Sequence, residues 1–131
     1  MSDLDIIRQI EQELGVELEP LEQLQWNSKG YVLDQDQRVT EIGLYECEID
    51  KLDRIIQPLA KLTSLSTLSL EDNQISDLGP LAKLTSLSTL SLDHNQISDL
   101  GPLAKLDSLS TLSLDSVSYT HLAGDSQMTL P

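Results

Sequence analysis

LTSLSTLSLEDNQISDLGPLAK at residues 62–83 and LTSLSTLSLDHNQISDLGPLAK at residues 84–105 are one 22-residue unit written twice, differing only at Glu71/Asp93 and Asp72/His94. A third copy begins LDSLSTLSLD at Leu106 and stops matching after Asp115. Leu68 and Leu70 flank Ser69. Alternation with period two makes a short strand that sends both leucines to one face and the serine to the other. Leu62, Leu65, Leu78 and Leu81 fill the rest of the interior of one coil. Asn73 falls where the chain leaves the strand, and its amide can satisfy backbone groups that a buried turn would otherwise orphan. Ser76 or Asp77 is placed to cap a short helical or 3₁₀ turn, with Pro80 at its permissive start. A single coil buries too few aliphatic side chains to offset the entropy of ordering it, so coil must stack on coil.

The positions Leu65, Leu68, Leu70, Asn73 and Ile75, repeated as Leu87, Leu90, Leu92, Asn95 and Ile97, match the leucine-rich-repeat pattern L-x-x-L-x-L-x-x-N/C-x-L. The expected fold is an α/β solenoid. It is a right-handed coil with a parallel β-sheet on its concave face, 3₁₀ or short helical turns on its convex face, and an N-terminal cap.

An irregular first coil lies upstream at residues 39–61. Val39, Ile42, Leu44, Cys47, Ile49 and Leu52 reproduce the spacing of Leu65, Leu68, Leu70, Asn73, Ile75 and Leu78. Pro58-Leu59-Ala60-Lys61 then matches Pro80-Leu81-Ala82-Lys83, with four extra residues between Leu52 and Pro58. Cys47 takes the Asn position, where the pattern permits cysteine, so Cys47, Asn73 and Asn95 read as a structural ladder. No histidine lies near Cys47 in sequence, and a catalytic thiol needs an electropositive setting.

Residues 1–38 do not repeat and read as an N-terminal cap of helix plus hairpin. Ser2 and Asp5 resemble a capping box, and Leu4, Ile6, Ile7, Ile10 and Leu14 make an amphipathic helix ending at Gly15. Leu18-Glu19-Pro20-Leu21 breaks it and starts a second short helix. Tyr31-Val32-Leu33 and Val39–Leu44, either side of a polar run, form a hairpin feeding the first coil. Trp26 is the expected plug of the open layer. At the other end Val117 stands where Asn is expected, Tyr119 for Ile and Asp125 for Leu. Residues 116–131 thus read as an irregular tail, either foreign to the array or a degenerate cap. With a foreign tail the last leucine layer is uncapped and invites self-association.

Composition narrows the function. The formal net charge is −14, with 22 Asp and Glu against 8 Lys and Arg. Binding to nucleic acids and anionic membranes draws on neutralisation of phosphates by cations, so neither is an expected partner. The acidic opening MSDLD lacks the basic region of a signal peptide, and no stretch is apolar enough to span a membrane, so the chain is expected to be cytoplasmic. A single cysteine excludes an internal disulfide framework. There is no G-x-S-x-G motif, His94 and His121 stand alone, and Asp72-Asn73 with Asp77 lacks calcium-loop spacing. No catalytic residue, metal or cofactor is expected, and the chain is read as a non-enzymatic binding module.

A partner is expected on the outward columns of the sheet. Parallel strands place residues one period apart about 4.8 Å from each other. The columns read Tyr45, Glu71, Asp93, Asp115; then Glu46, Asp72, His94, Ser116; with Gly43, Ser69, Ser91, Ser113 and Glu41, Thr67, Thr89, Thr111 beside them. This face is smooth, hydroxyl-rich and acidic along one side. Carboxylates that close repel by roughly 1 kcal/mol even at water-like dielectric, so a basic protein surface would be welcome there. Its shortage of large aromatic side chains counts against a high-affinity hot spot.

The opening MSDLDIIRQIEQELGVELEPLEQLQWNSKGY, followed by TEIGLYECEIDKLDRIIQPLAKL, resembles the amino-terminal repeat domain of bacterial Roco proteins, and ISDLGPLAKLTSL resembles their 22-residue repeats. The resemblance covers about residues 1–115. It implies a regulatory or partner-receiving repeat domain placed ahead of a Ras-like GTPase, with other domains of the parent polypeptide among its partners. Gly79-Pro-Leu-Ala-Lys83-Leu-Thr85 is not a phosphate loop. It lacks the second glycine, and Pro80 removes an amide that a phosphate would use. A free-standing small binding protein, or an orphan fragment without a partner, is the alternative.

Overall fold

A computed structural model describes residues 2–97 and 99–114; Asp115, the last residue of the partial third copy, and the expected tail at 116–131 lie outside the described residues. The elements in order are α1 (Asp3–Leu14), β1 (Glu19–Leu21), β2 (Lys29–Leu33), β3 (Val39–Leu44), α2 (Asp53–Lys61), β4 (Thr67–Ser69), β5 (Thr89–Ser91) and β6 (Thr111–Ser113), with 3₁₀ turns at Gly79–Lys83 and Gly101–Lys105. The strands form one sheet in the order β1 to β6. From β3 onward every pairing is parallel. Glu41 pairs with Thr67, Thr67 with Thr89, and Thr89 with Thr111. This is a leucine-rich-repeat solenoid, with strands on one side of each coil and helical turns on the other.

The interior is a single aliphatic column. Leu65, Leu68, Leu70, Ile75, Leu78 and Leu81 are fully buried, as are their equivalents Leu87, Leu90, Leu92 and Ile97 one period on. Identical sequence produces identical bonds. The Ser66, Ser88 and Ser110 hydroxyls each donate at 3.2 Å to the carbonyl one coil back, of Thr40, Ser66 and Ser88 respectively. Asp77 and Asp99 each accept the amide two residues on, at 2.9 Å, and so start the 3₁₀ turns. Both turns carry proline in their first positions. In the first coil the four extra residues lengthen the turn into α2, a nine-residue helix that keeps the repeat's proline as Pro58.

Asparagine ties the coils together. The Asn73 side-chain oxygen accepts the amides of Cys47 and Ile49 in the coil before it, each at 3.0 Å. Its NH₂ group donates back to Leu44 at 2.9 Å and to Leu70 and Glu71 in its own coil. Asn95 repeats the arrangement, accepting from Ile75 at 3.1 Å and donating to Leu70 at 2.8 Å. Both asparagines are buried.

The N-terminal segment covers the first coil. Ser2 and Asp5 form a reciprocal capping box, and Gly15 closes α1 at φ 66°. Ile6, Ile7 and Ile10 are buried. Asp3, also buried, accepts the Val39 amide at 2.8 Å and pairs with Arg38 at 3.2 Å, which fixes α1 to the start of β3. The Arg54 guanidinium of α2 donates to the Glu13 carbonyl at 2.6 Å. Two expectations fail here. Glu19–Leu21 is not a second helix but β1, an edge strand parallel to β2. A residue before proline is pushed to extended backbone, and an edge strand tolerates the missing amide. Nor is Trp26 a plug, since it is 61% exposed. Aliphatic side chains of α1, with Leu18 and Tyr31, close the layer instead.

Asn73→Ala is expected to cost about 3 kcal/mol, because it leaves two buried amides and a neighbouring carbonyl unpaired at once. Asp77→Ala, at an exposed turn, should cost about 1 kcal/mol or less. Urea unfolding of the two variants checks the ordering, and equal losses would contradict it.

Candidate partner-binding face

The outward side of the sheet carries the expected columns in register. Thr67, Thr89 and Thr111 align, as do Ser69, Ser91 and Ser113. Just beyond each strand the chain stays bonded to its neighbour. The Glu46 amide donates to the Glu71 carbonyl at 3.1 Å, and the Asp72 amide to the Asp93 carbonyl at 3.0 Å. Tyr45, Glu71 and Asp93 therefore form one column, and Glu46, Asp72 and His94 the next. The second column is a turn in left-handed backbone, with φ of 48° at Glu46, 57° at Asp72 and 60° at His94. Asp and His are among the non-glycine residues that tolerate this region best. That accounts for the interchange of Asp72 and His94 between otherwise identical units.

The acids are not free-standing. The Ser91 hydroxyl donates to the Glu71 carboxylate at 2.7 Å, and Ser113 donates to Asp93 at 2.6 Å. Each serine thus reaches diagonally to the acid of the coil before it. Glu71 is buried beneath this bond, whereas Asp72 and Asp93 are half-buried and Glu46 and His94 exposed. Burial pushes the Glu71 carboxyl above its ordinary range, with the Asp93 and Asp72 charges adding to the push. The Ser91 bond and His94 oppose it. Tyr45 is held protonated, first by its hydrogen bond to Asp72 and then by burial and the surrounding acids. Cys47 is buried, its thiol pushed up by burial, and its sulfur reaches the Tyr45 carbonyl at 3.6 Å in its own turn. It is Asn73, from the next coil, that spans the gap at this level.

The first coil departs from the others at Gly43, which stands in the serine column. A side chain there would sit 2.7 Å from the Ser28 carbonyl oxygen and 3.0 Å from the Leu24 methyl. The β1–β2 connection crosses the sheet at this point. It is shaped by a tight turn in which the Ser28 amide donates to the Gln25 carbonyl at 3.1 Å and the Gln25 amide to the Ser28 hydroxyl at 2.8 Å. Trp26 projects from that turn and meets Tyr45 edge-on, ring centroids 5.5 Å apart at 89°. The face therefore has a large aromatic that the columns alone did not show. Its signal in the sequence was the break Gly43, Ser69, Ser91, Ser113: a serine column loses its side chain where another segment lies on it.

Among the described residues no group of three or more His, Cys, Asp or Glu is placed to hold a metal ion, and no helix is long and apolar enough to cross a membrane. Residues 63–104 match the family model for leucine-rich repeats in two copies. The chain thus carries a leucine-rich-repeat domain. Two solved structures from Listeria monocytogenes are similar. The internalin inlF is 28% identical, with a TM-score of 0.53 over 68% of this chain and 27% of its own. Internalin C2 is 32% identical, with a TM-score of 0.50 over 84% of this chain and 48% of its own. The chain spans less than half the length of either. No curated protein sequence matches it.

Because Glu71 binds its proton more tightly folded than unfolded, its contribution to stability is fully present below the ordinary glutamate range and is lost as pH rises through the raised value. Glu71→Gln keeps an acceptor for Ser91 and removes the charge. It should be more stable than the parent by about 0.5–1 kcal/mol near neutral pH, with the gap closing in mild acid. Urea midpoints across that pH range measure this; a gap that widens in acid would contradict the assignment.

Proposed function

We propose that this chain is a non-enzymatic protein-interaction module, the amino-terminal partner-binding repeat domain of a Roco-type GTPase. Its open sheet face is the docking surface. The observation that carries the reading is the in-register face itself, where rigid strands hold rows of threonine and serine beside rows of acids. Tyr45, Glu46, Thr67, Asp72, Thr89, Ser91, Asp93 and His94 supply it, with the expected Ser69 and Glu71 buried beneath them, and Asp115 continues the acidic column in sequence. Stacked repeats build such extended surfaces because each coil adds one more row of side chains at fixed spacing. The chain's charge of −14 selects for a basic partner surface and speeds the encounter with it.

The Roco assignment rests on the resemblance in residues 1–60, which within the fold supply the cap and the irregular first coil. The partner in this reading is a Lys- and Arg-bearing surface on the remaining domains of the parent polypeptide. The hydrogen bond from Ser113 keeps Asp93 fixed in place over the buried Glu71–Ser91 pair, so a partner meets a pre-arranged carboxylate rather than a mobile one.

Titration of a purified Roco GTPase domain into the chain should show saturable binding that weakens about tenfold or more when Glu41→Lys and Asp93→Lys are combined. Undiminished affinity in that variant would sink the reading. Guanine nucleotide alone should give no binding isotherm, and saturable uptake of GTP would overturn the non-enzymatic assignment.

A further inference from the structure

Trp26 is the one large apolar side chain that stands exposed among the described residues, and it stands on the acidic face rather than apart from it. Its position is imposed from below. The Gln25–Ser28 turn is closed by two hydrogen bonds, and the segment lies so close to Gly43 that no side chain fits between them. Tyr45 meets the indole edge-on, and Asp72 stands one coil on from Glu46 in the neighbouring turn column. Glu46, next to Tyr45, is exposed. An exposed aromatic normally costs solubility and has no packing role to justify it. Here it is preorganised beside carboxylates, and the combination of a π face with fixed negative charge has a specific chemical complement.

We propose that Trp26, Tyr45 and Asp72 form a seat for one cationic side chain, an arginine presented by a partner protein that docks on the open face. This rests on the docking surface proposed above and names its anchor. A guanidinium lies flat on an indole and is attracted to its face, while its N–H groups reach a carboxylate at the rim. The Asp72 carboxylate, half-buried in the turn column that Glu46 begins beside Tyr45, is placed for that second contact. Lysine offers the charge without the planar fork and should bind less well. Tryptophan, tyrosine and arginine are the residue types that dominate interface energetics, so this corner supplies the hot spot that the serine and threonine rows lack.

The chain contains a single tryptophan, so its indole emission reports this seat alone. A short oligo-arginine peptide at low salt should change that emission saturably, oligo-lysine should do so more weakly, and the uncharged oligo-citrulline not at all. By calorimetry, Trp26→Ala should weaken oligo-arginine binding about tenfold, the order expected of a cation over an indole. Asp72→Asn should weaken it too, while tolerating the left-handed backbone. Gly43→Ser gives the first coil the serine of the others, and should lose the emission change by displacing the turn. Oligo-arginine binding that Trp26→Ala leaves intact, but the Glu41→Lys and Asp93→Lys pair abolishes, overturns the seat and keeps the face. The reverse pattern keeps the seat and sinks the face. No saturable change in emission with oligo-arginine also overturns the seat.

Discussion

One carboxamide in each of the two full repeats makes the stack possible. Where the chain turns off the sheet, backbone amides and carbonyls are buried with no strand beside them to pair with. Asn73 supplies an acceptor to Cys47 and Ile49 and a donor to Leu44, all in the previous coil, while also binding its own turn. Asparagine has both an acceptor and two N–H donors on one planar group, which a carboxylate or a hydroxyl does not. The bond crosses between coils, so its geometry is met only when each coil sits one strand spacing from the last and in register. The aliphatic column supplies the greater part of the driving force, but it is non-directional. The asparagines fix which position in one coil lies above which in the next.

From that register the face follows. Once Asn73 and Asn95 hold the turns, Ser91 falls within 2.7 Å of Glu71 and Ser113 within 2.6 Å of Asp93. The hydroxyls that line the sheet then neutralise part of the repulsion that a row of acids would otherwise suffer. The N-terminal segment contributes more than closure. Asp3 pins α1 to β3, and the connection that returns to β2 crosses the sheet above Gly43, which sets Trp26 against Tyr45. Cap and binding face are therefore one construction, joined at a glycine.

The parts of this that the sequence made legible are those that repetition exposes. Two near-identical units define the strand leucines, the asparagine position and the columns without ambiguity, and the irregular coil can be aligned to them through Pro58 and Cys47. What escaped is what depends on a segment folding back in space. Trp26 is a lone aromatic with Gln25 and Asn27 beside it, and hydrophobicity alone assigns such a residue to the interior. Pro20 is compatible with the first turn of a helix or with an edge strand, and only the room beside β2 decides between them. Glu71 looks like any surface acid until Ser91, twenty residues on, is seen to reach it diagonally. Cys47 fits the ladder pattern by position, but each asparagine reaches back to the coil before it, so the bonds at the level of Cys47 come from Asn73 as those at the level of Asn73 come from Asn95.

If inter-coil carboxamide bonds hold the stack, the amides they accept must behave as structural amides although no strand pairs with them. Native-state hydrogen exchange on the intact chain reads this directly at Cys47, Ile49 and Ile75. The account predicts protection at these three comparable to that of the amides of Ser66 and Ser88, which donate to the previous coil where the chain enters the sheet. Exchange at the rate of open turns, with the sheet amides still protected, would contradict it.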